Sequence, residues 1–174
     1  GSELNTFAEY NMATMVMYSD VFGFTDSEVD ALFAKYLQAT DRPQVTREGL
    51  RVWYDGYHTA AGELMYNPRS VVLALQNNQL YNYWTSSGPY DEIFYYIKNN
   101  VQAVRDDLAL MAAGERISVR IQEYAAMLLE LNTKQQIFSA MVVDGLLTYD
   151  NGQVFIPNKE MEEAVRFDVC GHLR

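Results

Sequence analysis

Cys170 and His172, one glycine apart, are the two residues best suited by type to share a metal ion or to pair a thiol with a base. A metal site needs a cluster of ligands, and the second histidine, His58, lies far upstream, so Cys170-Gly171-His172 reads as a chain end. Adjacent acids recur in Asp106-Asp107 and Glu162-Glu163. Neighbours on a helix point about 100° apart, so these pairs are solvated faces and not a catalytic dyad. Nucleophilic catalysis needs a serine or cysteine beside a base, and neither histidine stands in such a motif. Asp55 is the acid with the most unusual surroundings, Trp53-Tyr54-Asp55-Gly56-Tyr57. There it is expected to accept backbone N–H groups and fix a turn.

The elements that must position these residues belong to a folded chain of 174 residues, 49% hydrophobic, with 13 tyrosines and 8 phenylalanines. A net charge of −10 repels phosphate backbones and anionic lipid surfaces, so neither nucleic acid nor membrane is an expected partner. One cysteine allows no intrachain disulfide, and no apolar run approaches the roughly 18 residues that cross a bilayer. An intracellular location is expected. Gly1-Ser2 reads as a tag remnant, which implies a fragment of something larger.

Helical periodicity covers Thr6 to Ser19, and Thr25-x-x-Glu28 forms a capping box for a helix burying Val29, Leu32, Phe33, Tyr36 and Leu37. Asp26, Glu28 and Asp30 then serve capping and solvation. Thr46 opens a short helix that Gly56 stops, with Trp53 and Tyr57, four apart, sharing a face. After an irregular or briefly extended stretch from Tyr57 to Tyr66, Asn67 and Pro68 start a helix carrying Val71, Val72 and Leu75. Leu80 to Trp84 is an aromatic connector. Ser86-Ser87-Gly88-Pro89 opens another helix with Ile93, Phe94 and Ile97, and Val101 to Ala113 is the next, ended by Gly114.

The period then changes to alternation at Ile117, Val119 and Ile121, which predicts a strand. Thr133 caps a helix with Ile137, Phe138, Met141 and Val142 inward, ending at Asp144-Gly145. Asn151-Gly152 between Leu146-Leu147-Thr148-Tyr149-Asp150 and Gln153-Val154-Phe155-Ile156-Pro157 predicts a type I′ hairpin that pairs with the strand. Asn158 caps a last helix, Lys159 to Arg166.

Phe22-Gly23-Phe24-Thr25, Trp53-Tyr54-Asp55-Gly56-Tyr57, Tyr66-Asn67-Pro68-Arg69-Ser70-Val71, Tyr83-Trp84 with Ser87-Gly88, and Gly145-Leu146-Leu147-Thr148-Tyr149 before Ile156-Pro157-Asn158 occur in this order. Together they resemble the AAA-ATPase-like family, in which a P-loop NTPase module is often fused to a PD-(D/E)XK nuclease-like domain. The likeness runs from about Leu4 to Val165. A Gly-x-x-x-x-Gly-Lys-Ser/Thr loop and a Walker B strand are absent from the sequence, so the resemblance places this chain downstream of the nucleotide-binding core.

The fold so implied is mainly α with a small antiparallel β-sheet. Residues 1–3 are tag remnant and linker, 4–114 a helical lid-like subdomain, 115–167 a winged-helix-like unit and 168–174 a tail. The implied function is non-catalytic, bracing or regulating a core upstream. That core of its own chain is the main partner, and self-association follows where the covering core is missing. The fragment itself takes no cofactor and no metal. The resemblance implies ATP and magnesium as cofactors open to the parent protein, and a nuclease-like domain, if the parent has one, would follow Arg174.

Arg69 is the one cofactor-binding candidate, a lid arginine reaching a γ-phosphate, set against the plainer reading of a surface arginine in a first helical turn. Trp53, Tyr54, Asp55, Gly56, Tyr57, Tyr66, Asn67 and Pro68 are structural, fixing the angle between flanking helices. If the Trp53 ring is buried, its truncation costs about 3–5 kcal/mol. A DNA-reading winged helix is disfavoured, because Thr133 to Asp144 carries only Lys134 as a cation and the wing tip carries an acid. The alternative function is a stand-alone acidic protein-interaction or effector-like module whose aromatic corner grips a partner helix.

Overall fold

The computed structural model describes residues 23–59, 61–86, 101–119 and 133–169. It is mainly helical with small antiparallel sheets, as the sequence predicts. The expected helices over 6–19 and 88–100, the strand end at Ile121, and Cys170 with His172 lie outside the described residues. The chain divides into two compact units. The first holds residues up to Tyr83 together with Asn158–Glu160. The second holds Trp84–Pro157 and the residues from Met161 on, so α4 (Val101–Ala112), assigned by sequence to the segment before Gly114, is counted with it.

In the first unit, α1 (Asp26–Ala39) begins at the predicted capping box. Thr25 Oγ1 accepts the Glu28 N–H at 3.2 Å, and Glu28 Oε1 accepts the Thr25 N–H at 3.4 Å. Val29, Leu32 and Tyr36 face inward and Phe33 packs beside them. Leu37 was expected in this stripe but is 47% exposed, because it lies about 100° round the helix from Tyr36.

Helix α2 (Arg47–Tyr54) is capped by Thr46, whose Oγ1 accepts the Gly49 N–H at 2.9 Å, and buries Leu50 and Tyr54. The chain leaves it at Asp55, with Gly56 at φ 99° as the glycine signal requires. Tyr57 therefore does not share a helix face with Trp53. It opens β1 (Tyr57–His58), which pairs antiparallel with β2 (Leu64–Met65). Beyond β2, Tyr66 and Phe24 exchange backbone hydrogen bonds of 2.8 and 3.1 Å. A side chain at Gly23 would put its Cβ 2.7 Å from Met65 Cβ, so this close approach admits only glycine.

Helix α3 (Pro68–Asn77) starts as the Asn-Pro pair predicts, with Asn67 Oδ1 accepting the Ser70 N–H at 3.3 Å. It ends at Asn78 in the left-handed region, φ 53°. Asn78 also gathers a loop, since its Oδ1 accepts from Tyr36 Oη and from the Gln44 N–H at 2.8 Å, and its Nδ2 donates to Arg42 O at 2.9 Å. The core of this unit is Phe24, Tyr36, Leu50, Tyr54, Tyr66, Val71, Val72 and Leu75 with their neighbours.

In the second unit, α4 buries Val104, Leu108 and Met111 and is followed by Gly114 at φ 98°. Helix α5 (Lys134–Val143) is opened by a capping box between Thr133 and Gln136 and buries Ile137, Phe138, Ala140 and Met141. Val142, expected inward, is only half-buried. Strands β4 (Thr148–Asp150) and β5 (Gln153–Phe155) form the predicted hairpin, with Asn151 at φ 49° and Gly152 at φ 79°. β3 (Ile117–Ser118) adds antiparallel to β5, Ile117 opposite Val154, giving the order β3-β5-β4. Trp84 is buried and its Nε1 donates to Asp144 O at 3.1 Å, holding the loop after α5. Helix α6 (Lys159–Glu163), whose first two residues belong to the first unit, continues as a π-helical turn over Ala164–Val169.

Gly152→Ala should destabilise the chain by about 1–2 kcal/mol, because alanine must adopt the left-handed region there. Asn151→Gly should cost far less. Urea denaturation of the two variants checks the difference.

Candidate functional site

The residues singled out by sequence converge on one corner of the first unit, and most of their polar atoms are used inside it. Tyr54 is fully buried, and its hydroxyl donates to Tyr81 O at 2.8 Å and accepts the Tyr81 N–H at 3.0 Å. The Asn67 N–H donates to Tyr54 O at 2.9 Å, joining the end of α2 to the start of α3. Pro68 is buried beneath it. Trp53 is only half-buried, packing its ring on the core, with Lys159 Nζ 4.8 Å from the ring centre. The cost of Trp53 truncation therefore falls below that of a fully buried ring.

Tyr66 is buried, and its hydroxyl donates to Asp26 Oδ1 at 2.7 Å and accepts from Arg47 Nη1 at 2.9 Å. Arg47 pairs with Asp26 at 2.6 Å and Asp30 at 2.8 Å. These acids thus do more than cap and solvate α1: they bind its first turns to α2. The Tyr66 hydrogen bond, followed by that of Arg47, holds the Asp26 carboxyl below its usual range.

The sequence reading missed the centre of the corner. Glu160 is fully buried, and Ser70 Oγ lies 2.9 and 2.8 Å from its two carboxylate oxygens. The Tyr83 N–H donates to the same carboxylate at 2.8 Å, and Asn82 Nδ2 donates to Glu160 O at 3.2 Å. Beside it, Asn158 Nδ2 donates to Asp55 O at 2.8 Å. The Tyr57 hydroxyl is buried although its ring is half-exposed, and it is hydrogen-bonded by the Asn158 and Asn67 side chains. Burial, and then the charge of Glu160, push this phenol far above the usual tyrosine range, so it stays protonated.

Arg69 is not the surface arginine of the plainer expectation. It is half-buried, its Nη1 donates to Tyr83 O at 2.7 Å, and desolvation pulls its guanidinium down against the attraction of Glu160. Asp55 is half-buried too, with an Oδ1 that has no hydrogen-bond partner among the described residues. Burial pushes its carboxyl up, opposed by the Gly56 N–H. The expected backbone donor is therefore present but satisfies only part of the group.

The chain is 38% identical over 71 residues, 41% of its length, to a protein described as "Uncharacterized protein in vnfD 5'region" from Azotobacter chroococcum mcd 1. Those residues span 13% of that protein. No family model matches the chain. No solved structure matches it.

Chemically, this arrangement is a latch. Ser70 and Glu160 are closed to solvent, and the hydroxyl proton is spent on the carboxylate. His58 turns its Nδ1 to Gly56 O at 3.2 Å. Among the described residues no group of three or more His, Cys, Asp or Glu is placed to hold a metal ion, and no helix is long and apolar enough to cross a membrane. A signal for Glu160 does exist in the sequence. Met161, Ala164 and Val165 are all buried, and Glu160 stands one turn before Ala164 on that apolar stripe.

Three substitutions probe the corner. Glu160→Ala strands the Ser70 hydroxyl and the Tyr83 N–H without their anion and should cost about 3–5 kcal/mol, against about 1.5–3 kcal/mol for Ser70→Ala, measured by denaturant titration. Asp55 binds its proton more tightly in the folded state, so its contribution is fully present below the unfolded value and is lost as pH rises through the folded one. Asp55→Asn should therefore raise Tm at about pH 7 and leave it nearly unchanged at about pH 3.

Proposed function

We propose that this chain is the lid-like and winged-helix-like segment of an AAA-ATPase-like protein, non-catalytic in itself, which braces a nucleotide-binding core supplied upstream and relays that core's state. One observation carries the reading. The residues most distinctive of the resemblance, from Trp53 to Tyr57 and from Tyr66 to Ser70, are spent on one another and on Tyr83, Asn158 and Glu160. A rigid corner of this kind suits a part that transmits force, whereas a catalytic or recognition motif would leave its polar groups open to a ligand. The pairing of β3 with the hairpin after α5 supports the winged-helix-like layout. On α5, Lys134 is ion-paired with Asp107, which fits a wing that meets protein and not DNA.

The alternative, a stand-alone acidic interaction module, draws support from Tyr81 and Leu64, which are 57% and 49% exposed in the same unit. Calorimetry with magnesium and ATP separates the two. The lid reading expects no heat of binding from this chain and restored binding when the upstream sequence is included. Binding that stays absent from the longer chain would favour the interaction module. Within the longer protein, Arg69→Ala is expected to lower Tm and leave nucleotide affinity unchanged, because Arg69 grips Tyr83 O. A loss of affinity would put Arg69 on the phosphate.

A further inference from the structure

The contacts of Glu160 have the chemistry of ligand recognition. Its carboxylate meets a serine hydroxyl on α3 and a backbone N–H in the loop after α3, both from chain 77 to 90 residues away. The Ser70 N–H is already taken by Asn67, so the helix terminus alone does not make the site. The notch is built by a side chain and by a loop residue whose own carbonyl is held in turn. Arg69 Nη1 pulls on Tyr83 O while the Tyr83 N–H points at the carboxylate. The two bonds fix Tyr83 on both sides of its Cα and so hold its N–H on the carboxylate. Asn82 Nδ2 then fixes the backbone of Glu160, and Asn158 Nδ2 that of Asp55.

We propose that Ser70, the Tyr83 amide and Arg69 form an anion-recognition notch whose resident ligand is the chain's own Glu160 carboxylate, so that seating of residues 158–160 on the first unit is an intramolecular binding event keyed to negative charge. The ligand class is a small planar carboxylate. The hydroxyl spans both oxygens, and the amide adds a further donor to one of them. The device makes the first unit discontinuous in sequence, since Asn158–Glu160 completes it. It stands whether or not a nucleotide-binding core lies upstream.

Chemical rescue tests this in the full chain. Wild type, Glu160→Ala, Glu160→Gln and the double variant Ser70→Ala with Glu160→Ala are melted in sodium formate and in sodium chloride at equal ionic strength. Glu160→Ala in chloride is expected to lose roughly 6–12 °C in Tm. Formate should restore at least about half of that loss and saturate as it does so. Formate should do nothing beyond chloride for wild type or for the double variant, and Glu160→Gln should melt below wild type because its neutral amide lacks the charge. Equal melting of Glu160→Ala in the two salts overturns the proposal. Should Glu160→Ala fail to fold in either salt, Glu160→Gln decides: a lowered Tm supports the notch, and a wild-type Tm overturns it.

Discussion

A carboxylate with no exposure to solvent is the constraint from which the first unit's arrangement follows. Removing a charged group from water costs several kcal/mol, and that cost is offset only where donors are held in place around it. Here Ser70 and Tyr83 supply them, and each is fixed in turn. Ser70 sits in the first turn of a helix pinned by Asn67 and Pro68, and Tyr83 is held at its carbonyl by Arg69. The Asn-Pro start, the arginine after it and the aromatic connector are thus parts of one arrangement, and Glu160 is the reason they occur together.

Tyrosine hydroxyls extend the same logic. Tyr36, Tyr54 and Tyr66 are fully buried rings whose hydroxyls reach Asn78, the Tyr81 backbone and Asp26. Each combines apolar packing with a hydrogen bond that ties a loop or a helix end to the core. Phenylalanine would fill the same space and leave those ends loose. These three tyrosines are therefore structural. A segment stiffened in this way can transmit displacement, and that links its packing to the bracing role proposed for it.

Local signals were legible because their physics lies within a few residues. The capping box at Thr25, the Thr133 cap, the Asn-Pro start and the Asn-Gly turn all stand where the sequence puts them. Misreadings arose where a local rule was carried past its range. The four-residue spacing of Trp53 and Tyr57 has no helical meaning across Gly56, where the chain turns into β1. Trp53 is half-buried because the inward face of α2 is set by Leu50 and Tyr54, one turn apart. Glu160 was passed over because its partners are so distant in sequence, and a lone acid beside Met161 resembles an ordinary helix start. The adjacent pair Glu162-Glu163, a solvated face by its spacing, is only partly buried.

The Tyr83 amide reports most directly on whether the buried carboxylate holds the corner. Native-state hydrogen exchange should find this N–H as protected as the amides of core residues such as Leu50, opening only with global unfolding, although it lies in a connector outside any helix or strand. Rapid exchange at Tyr83 through local opening, with Leu50 still protected, would contradict the account.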